Sequence, residues 1–465
     1  MGRLYKGLAT TSQRWIVLVA LFSVTLASVP VATKSTTLHV AILVPFGLCI
    51  GWAAVRMRMR VDVFAASVVG LYGVSIAIEA FRGYAKLTHA ASDSLLFAVL
   101  ILFGAMLVIS AQDDDERKLR IAALALAPAV YLAVNVIMQA GSFGPSRFVD
   151  PGEKALSAGE GASLLKLIGI SAQRIEFPLA SGINTTGAVA AGGFAAATLL
   201  AIYSNAFPRR LTVPLAAVSL YGALATDSRV ALLGAIIMIV LAVLAPRVRL
   251  ATLTVLILSL APATLVAISG RLGGVSLLST FARGRAGELN TLNGRDYIWK
   301  GAWRVAGKLN WHTLVGWGAD GQITSGASRN YAYIFRGSPT PTIYTSHNIL
   351  LQSILDGGYL SLGVYLMTVL VVVQCMDRAI KAVPRSPIIA LRASLLVVLF
   401  TGITEALPTY NNDDCLAVAL IAFGAAAAMR VPGTVRVPSS SRSRKPVSRY
   451  HDAPPYGLGA TSMRG

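Results

Sequence analysis

A histidine at the start of an apolar stretch is the residue in this chain best suited to chemistry. His347 lies between a long basic segment, residues 271–346, and the apolar sequence N-I-L-L-Q-S-I-L-D-G-G-Y-L-S-L-G. An ionisable side chain at the end of a membrane helix indicates a functional site, because burying one without a use is costly. The alternative is a histidine that serves as a helix N-cap or interfacial anchor, and the residue alone leaves both interpretations open.

Three arginines have the side chain suited to an anionic group. Arg229 ends the short turn T-D-S-R, Arg174 lies in Q-R-I-E-F-P-L-A-S-G-I-N, and Arg295 begins a stretch with amphipathic helical spacing, Gly294–Leu309. A guanidinium can hold a phosphate through two parallel hydrogen bonds, and a helix N-terminus adds further donors. The structural alternative is an ion pair with a neighbouring acid, Asp227 for Arg229 and Glu176 for Arg174.

These residue types together predict transfer of a group from a pyrophosphate. Near a helix N-terminus and several arginines the imidazolium form is disfavoured, so His347 is expected to be a neutral base that accepts a proton from a sugar hydroxyl. The arginines would hold the leaving pyrophosphate. The sequence has no nucleotide-binding motif, so the energy would come from an already activated, lipid-carried substrate.

Metal and cofactor signals are weak in this chain. The acidic run Asp113-Asp114-Asp115-Glu116 fits a solvated connection, and Asn411-Asn412-Asp413-Asp414 fits a polar turn better than a metal site. The three cysteines do not form a C-x-x-C pair, and their number is odd. We therefore expect no cofactor, no metal and no disulfide framework.

The composition predicts an all-α polytopic membrane protein. Hydrophobic residues make up 55% of the chain and charged residues only 13%, too few to cover a soluble protein of 465 residues. Apolar runs of about 16 to 24 residues match the thickness of a bilayer. Twelve such runs are predicted: Trp15–Ala32, Leu38–Val55, Val61–Ala80, Leu95–Ala111, Ile121–Ala140, Thr186–Tyr203, Leu211–Ala225, Val230–Ala245, Leu250–Ser269, His347–Met376, Ile388–Ala406 and Cys415–Met429.

Lysine and arginine predict the orientation and the domains. Basic residues concentrate in alternate connections, such as Arg56 to Arg60, Arg117 to Arg120 and Arg378 to Arg392, which places both termini in the cytoplasm and His347 outside. The net charge of +20 is thus attributed to topology and lipids rather than to nucleic acid. Residues 1–431 are predicted to form the membrane domain, with outer loops 141–182 and 270–346. Residues 432–465 would be a disordered basic tail.

The motifs resemble those of bacterial O-antigen ligases and the related polymerases. His347-Asn348, nine further residues and Gly358 resemble the loop-to-helix signature of that family, although Ser361 stands where the pattern often has glycine. The turn that ends in Arg229 resembles its Ser-Arg turn. Arg295, Trp299 and the sequence Gly316-Trp317-Gly318 resemble its R…W…G-x-G loop, and Arg174 ahead of Asn184 resembles its upstream element more loosely. The layout, with one large outer loop before the tenth span, is also similar.

The resemblance implies a metal-independent, inverting glycosyltransferase of the polytopic C-type class in the bacterial inner membrane. Such a ligase moves polysaccharide from undecaprenyl pyrophosphate to lipid A–core oligosaccharide at the periplasmic face. His347 would be the base, and Arg229, Arg295 and Arg174 would bind the pyrophosphate. The alternatives are an O-antigen polymerase, which extends lipid-linked chains, a related O-linked protein glycosyltransferase, and, from another class, a polysaccharide or lipid transporter.

Overall fold

The parts of the chain that the structure describes are helical. This computed structural model describes residues 11–33, 41, 44–51, 87–144, 164, 169, 174–268, 295–318, 320–332, 345–383, 386–408 and 413–429, with no strand among them. Their α-helices are α1 Thr11–Thr33, α2 Leu87–Ile109, α3 Asp114–Ala140, α4 Ile183–Tyr203, α5 Arg209–Ala225, α6 Arg229–Leu244, α7 Ala251–Ile268, α8 Arg295–Ala306, α9 Trp311–Val315, α10 Gly321–Thr324, α11 Ile349–Ala382, α12 Ile388–Thr401 and α13 Asp413–Ala428.

Most of these helices have the length or composition of membrane segments. Within the described ranges, α3, α4 and α11 are long and apolar enough to cross a bilayer, and several shorter helices are also apolar. The surface is also that of a membrane protein, because α6 and α7 leave large apolar side chains exposed. Among them are Leu233, Ile236, Val240, Leu253, Leu256 and Leu260. An exposed apolar surface of this extent is normal for a protein surrounded by lipid.

The predicted apolar runs can be compared with these helices. Ten runs coincide with α1 to α7 and α11 to α13. The run Leu38–Val55 is described in part, with helix at 44–51, whereas Val61–Ala80 lies outside the described residues. The count of twelve spans and the placement of both loops therefore stay predictions. The tail 432–465 also lies outside the described residues.

Small residues let the helices pack closely. A Cβ added at Gly104 of α2 would overlap the backbone of Ile421 in α13, and one added at Gly424 would overlap the backbone of Ile101. Gly193 of α4 approaches the backbone of Ala129 in α3 in the same way. Helices in a membrane gain little from the hydrophobic effect when they associate, so close packing of small residues is a major source of their stability.

A buried ion pair stabilises the end of the bundle opposite His347. Arg392 of α12 donates to Asp377 of α11 at 2.6 Å, and both side chains are almost fully buried. The other oxygen of Asp377 accepts hydrogen bonds from the backbone N–H groups of Leu250 and Ala251, at 2.8 and 3.0 Å. Asp377 thus satisfies donors at the start of α7, which helix geometry would leave unpaired. Arg392 is therefore a structural residue as well as one of the basic residues that predicted the orientation.

Candidate active site

A buried glutamate joins two of the predicted site residues. Oε1 of Glu405 accepts a hydrogen bond from Nη2 of Arg295, and Oε2 lies 2.9 Å from Nδ1 of His347. The three residues come from distant parts of the chain: the first residue of α8, the segment before α11 and the connection after α12. The tertiary structure therefore brings the predicted base and one predicted phosphate ligand to the same carboxylate.

The side chain of His347 does not cap the helix that follows it. That role belongs to Asn348, whose Oδ1 accepts from the backbone N–H groups of Leu350 and Leu351 at 2.9 and 3.0 Å. His347 itself has a φ of 47°, in the left-handed region that is unfavourable for most residues. An asparagine at the cap frees the preceding imidazole to turn toward Glu405, so the interpretation of His347 as an N-cap is wrong.

Two hydrogen bonds hold the segment that contains Glu405 against the start of α11. The N–H of Ile349 donates to the carbonyl oxygen of Gly402 at 2.8 Å, and Nδ2 of Asn348 donates to that of Ile403 at 2.8 Å. The first of these bonds pairs an otherwise unsatisfied backbone donor at the start of α11 with a carbonyl just after the end of α12, and the second adds the side chain of the N-cap residue. The proximity of His347 and Glu405 is thus set by the hydrogen bonds of Asn348 and Ile349 and does not depend on Arg295.

The charges around Glu405 keep it ionised. Burial raises the pKa of its carboxyl group, but Arg295, the hydrogen bond and charge of His347, and Arg174 outweigh burial, so the pKa lies below its ordinary value of 4.5. An ionised carboxylate is an acceptor only, so the proton of a neutral His347 ring is on Nδ1. The Nε2 atom then has the free electron pair that a general base requires.

Arg174 connects this cluster to the turn between α5 and α6. Its Nε donates to the carbonyl oxygen of Thr226 at 2.9 Å, and its Nη2 donates to Oδ1 of Asn184 at 2.8 Å. Its charge also acts on Glu405. The loosest element of the sequence pattern, Arg174 ahead of Asn184, is therefore a direct side-chain pair, and its guanidinium acts on the carboxylate that Arg295 and His347 share.

Arg229 lies in the same turn and forms the ion pair that its sequence suggested. Its Nη2 is 3.2 Å from Oδ2 of Asp227, whose side chain is fully buried. The other oxygen of Asp227 accepts from the backbone N–H of Leu164 at 3.2 Å. About 19% of the Arg229 side chain stays accessible, compared with 20% for Arg295 and 27% for His347. A ligand can therefore reach all three side chains, whereas only 10% of the Glu405 side chain is accessible.

The helix that follows His347 is broken in the middle, and the loop after α8 covers the break. Gly358 has a φ of 73° inside α11, which divides it into segments 349–357 and 359–382. The backbone N–H groups of Trp317 and Gly318 donate to the carbonyl oxygens of Leu355 and Asp356, at 2.9 and 2.8 Å. The predicted G-W-G turn thus satisfies carbonyls that the break leaves open, and it fixes the short segment that begins with His347 and Asn348.

The sequence motifs did not identify Glu405 as a site residue. The available signal was its position: it lies in T-G-I-T-E-A-L-P, close to the predicted outer end of a helix, where the other candidate residues are basic. A lone carboxylate at such a place is itself a candidate site residue. What sequence could not supply was the pairing, because His347 and Glu405 are 58 positions apart.

The polar turn predicted around Asp414 is held by hydrogen bonds to other parts of the protein. Asp414, the second residue of α13, accepts hydrogen bonds from Ser181 at 2.5 Å, from Tyr131 at 3.1 Å and from the backbone N–H of Cys415 at 2.9 Å. Within the described ranges, no three His, Cys, Asp or Glu side chains are grouped to hold a metal ion. Asn411 and Asn412 lie outside the described residues, so the predicted polar turn is described only from Asp413 onward.

The fold and the site define a class of protein: a helical membrane protein with a histidine, arginines and a carboxylate clustered at one end of its apolar helices. Residues 214–366 match the family model described as O-Antigen ligase. The match covers 153 of the 465 residues, and it supports the resemblance to this family that was noted in the sequence. The matched region includes Arg229, Arg295 and His347 and ends in α11, before Glu405. No curated protein matches the chain.

The family match over residues 214–366, together with the apolar helices, indicates a coarse function. The O-antigen ligase family indicates a membrane-bound enzyme of glycosyltransferase type, with lipid-linked glycans as substrates. The broken helix α11 is a feature that also occurs in transporters, where discontinuous helices form binding sites. The family match favours the enzyme.

Proposed function

We propose that this protein is an O-antigen ligase that transfers a polysaccharide from undecaprenyl pyrophosphate to lipid A–core oligosaccharide. The observation that carries the proposal is the shared carboxylate, because Glu405 brings His347 and Arg295 together. One of these side chains suits the removal of a proton from a hydroxyl and the other suits the binding of a pyrophosphate. The family match supports the same class of substrate.

The active site would face the periplasm. In the described residues, the end of the bundle opposite His347 contains the exposed basic residues Arg209, Arg210 and Arg378. Basic residues are retained preferentially on the cytoplasmic side of bacterial membrane proteins. His347 would then lie at the outer surface of the inner membrane, where a lipid-linked polysaccharide and the lipid A–core acceptor can meet.

The proposed reaction is a single displacement at the anomeric carbon. A hydroxyl oxygen of the core sugar bonds to C1 of the donor while the bond from C1 to the phosphate oxygen breaks, which inverts the configuration at C1. The hydroxyl proton moves to Nε2 of His347, and the electron pair of the broken bond leaves with undecaprenyl pyrophosphate. Arg295, Arg174 and Arg229 would stabilise the charge on that leaving group, and no metal ion is required in this scheme.

Replacing the base tests this assignment. We expect His347→Ala to reduce transfer by at least about a hundredfold, because general base catalysis typically contributes 10² to 10⁴. His312→Ala is the matched control, because His312 is exposed in α9. Transfer by purified protein from a lipid-linked glycan to lipid A–core is the measurement. Transfer retained in His347→Ala would remove the base from the mechanism.

The acceptor separates a ligase from a polymerase, since the donor and the base would be the same in both. Purified protein is given a lipid-linked glycan together with lipid A–core, and in a second reaction only the lipid-linked glycan. We expect lipid A–core to be extended and the lipid-linked chains to keep their length. Growth of the lipid-linked chains alone would identify a polymerase instead.

A second measurement tests whether transfer requires a divalent metal ion. We expect full transfer in the presence of a chelator of divalent cations, because guanidinium groups supply the charge that a metal would otherwise provide. A loss of activity that added divalent metal restores would contradict the metal-independent scheme.

A further inference from the structure

Glu405 occupies a place where it opposes one step of the proposed reaction and assists another. It accepts a hydrogen bond from Arg295, a guanidinium needed for the pyrophosphate, and it lies 2.9 Å from His347, the proposed base. A carboxylate on Arg295 competes with a phosphate for the same donors, because both are anions that bind guanidinium in the same geometry. The same carboxylate on Nδ1 of the imidazole fixes the tautomer and stabilises the imidazolium that forms during proton transfer.

The two contacts of Glu405 differ in how they are held. The pair with His347 is held by two hydrogen bonds of 2.8 Å to the carbonyl oxygens of residues 402–403, one from the backbone N–H of Ile349 and one from the side chain of Asn348. The pair with Arg295 depends on a long side chain at the first residue of α8, and 20% of that side chain is accessible. A ligand that approaches from the accessible side can therefore remove Arg295 from Glu405 and leave His347 in place.

We infer that the pyrophosphate of the donor displaces Glu405 from Arg295, and that this exchange leaves Glu405 paired with His347 alone. Before the donor binds, the carboxylate neutralises Arg295 and its charge is shared between two partners. After the exchange, the phosphate holds Arg295, and the full charge of Glu405 acts on the Nδ1–H group of His347. Binding of the donor thus strengthens the base that the second substrate needs. This inference rests on the proposed function.

The other charged groups at the site are compatible with this exchange. Arg174, from the segment before α4, also acts on Glu405, and it stays bonded to Thr226 and Asn184 through the contacts described above. The loss of Arg295 therefore does not leave the buried carboxylate without a cationic neighbour. Glu405 is a positioning residue in this scheme, since it acts through His347 and does not touch the reacting atoms.

The substitution Glu405→Gln separates the two roles of the carboxylate. Without its charge, the competition for Arg295 is weaker, so undecaprenyl pyrophosphate should bind at least about threefold more tightly to the purified variant. Without the same charge on His347, kcat for transfer should fall by about a hundredfold or more, as expected when the partner of a catalytic histidine is neutralised. A purely structural role would weaken binding and turnover together, so opposite changes in Kd and kcat are the diagnostic result.

Glu116→Gln is the matched control. Glu116 is also a buried glutamate paired with an arginine, Arg120 at 2.5 Å, but it lies at the opposite end of the bundle. We expect this variant to lose thermal stability and to keep the wild-type Kd for undecaprenyl pyrophosphate. Weaker binding by Glu405→Gln, or an unchanged kcat, would overturn the exchange.

A structure of the wild-type protein with undecaprenyl pyrophosphate tests the exchange even if Glu405→Gln does not fold. We expect Arg295 on a phosphate and Glu405 still on His347, whereas Arg295 retained on Glu405 would overturn the inference. The proposed function fails in a different way: wild-type protein would then not bind undecaprenyl pyrophosphate, or His347→Ala would still transfer glycan. A third outcome would contradict only the inference: undecaprenyl pyrophosphate binds normally and His347→Ala is inactive, but Arg295 stays on Glu405 in the complex.

Discussion

Nε1 of Trp299 donates a hydrogen bond to the carbonyl oxygen of His347 at 3.2 Å. Trp299 is a fully buried residue of α8, and His347 has the left-handed backbone conformation described above. The bond therefore holds a strained backbone in position from the helix that also begins with Arg295. The same helix therefore contributes a proposed phosphate ligand, Arg295, and a residue that supports the proposed base, Trp299. The two residues are four positions apart, so they can act on one site from adjacent turns of α8.

The substitution Trp299→Phe should reduce glycan transfer without preventing folding. Phenylalanine keeps most of the buried apolar area, but the carbonyl oxygen of His347 loses its donor. One hydrogen bond of this kind contributes ~1 kcal/mol, which corresponds to about a fivefold change. The measurement is kcat for transfer by purified protein. Trp311→Phe is the control, because Trp311 is 68% exposed, and an equal loss in both variants would contradict a specific role for Trp299.

The substitution Gly358→Ala should destabilise the protein strongly. Gly358 combines a φ of 73° with a ψ of −176°, a region that is essentially restricted to glycine, and a Cβ there would also overlap the carbonyl of Leu314. Strained conformations of this kind cost on the order of 1–3 kcal/mol before any steric overlap is added. Thermal unfolding in detergent, together with the level of protein in membranes, measures the effect.

Gly363→Ala is the matched control in the same helix, since a Cβ at Gly363 meets nothing within 4 Å. Alanine at an ordinary helical position is favoured over glycine by about 0.5–1 kcal/mol, so this variant should be as stable as the wild type or slightly more so. If both variants unfolded alike, the break at Gly358 would not be what limits stability.

Acidification should lower the stability of the folded protein in part by protonating Glu405. The pKa of this carboxyl is lowered in the folded state, so its stabilising contribution is present above its ordinary value of 4.5 and is lost as the pH falls through the lower folded value. Protonation would remove its charge from both Arg295 and His347. The measurement is the thermal midpoint of wild type and Glu405→Gln between about pH 6 and pH 3, a range that begins above the ordinary pKa of a glutamate and extends below it. The difference between the two proteins should shrink toward the acidic end, and a constant difference would contradict the assignment.

The sequence by itself identified the helices and the candidate base and arginines, because residue types and local spacing are enough to indicate them. The apolar runs predicted helices, and ten of the twelve overlap α1 to α7 and α11 to α13. Amphipathic spacing predicted a helical stretch over Gly294–Leu309, and α8 covers Arg295–Ala306 of it, with Ile298 and Ala302 buried. Local patterns of this kind depend on residues within a turn or two of one another.

The tertiary structure decided how those residues combine. Asn348 caps α11 and His347 turns away from the helix, a choice between neighbours that depends on the packing of residues 402–403 against them. Glu405 became the partner of His347 and Arg295 only because two helix ends, far apart in sequence, meet at one place. Sequence supplied the candidate base and the candidate arginines, whereas the carboxylate between His347 and Arg295 follows from long-range contacts that no local pattern records.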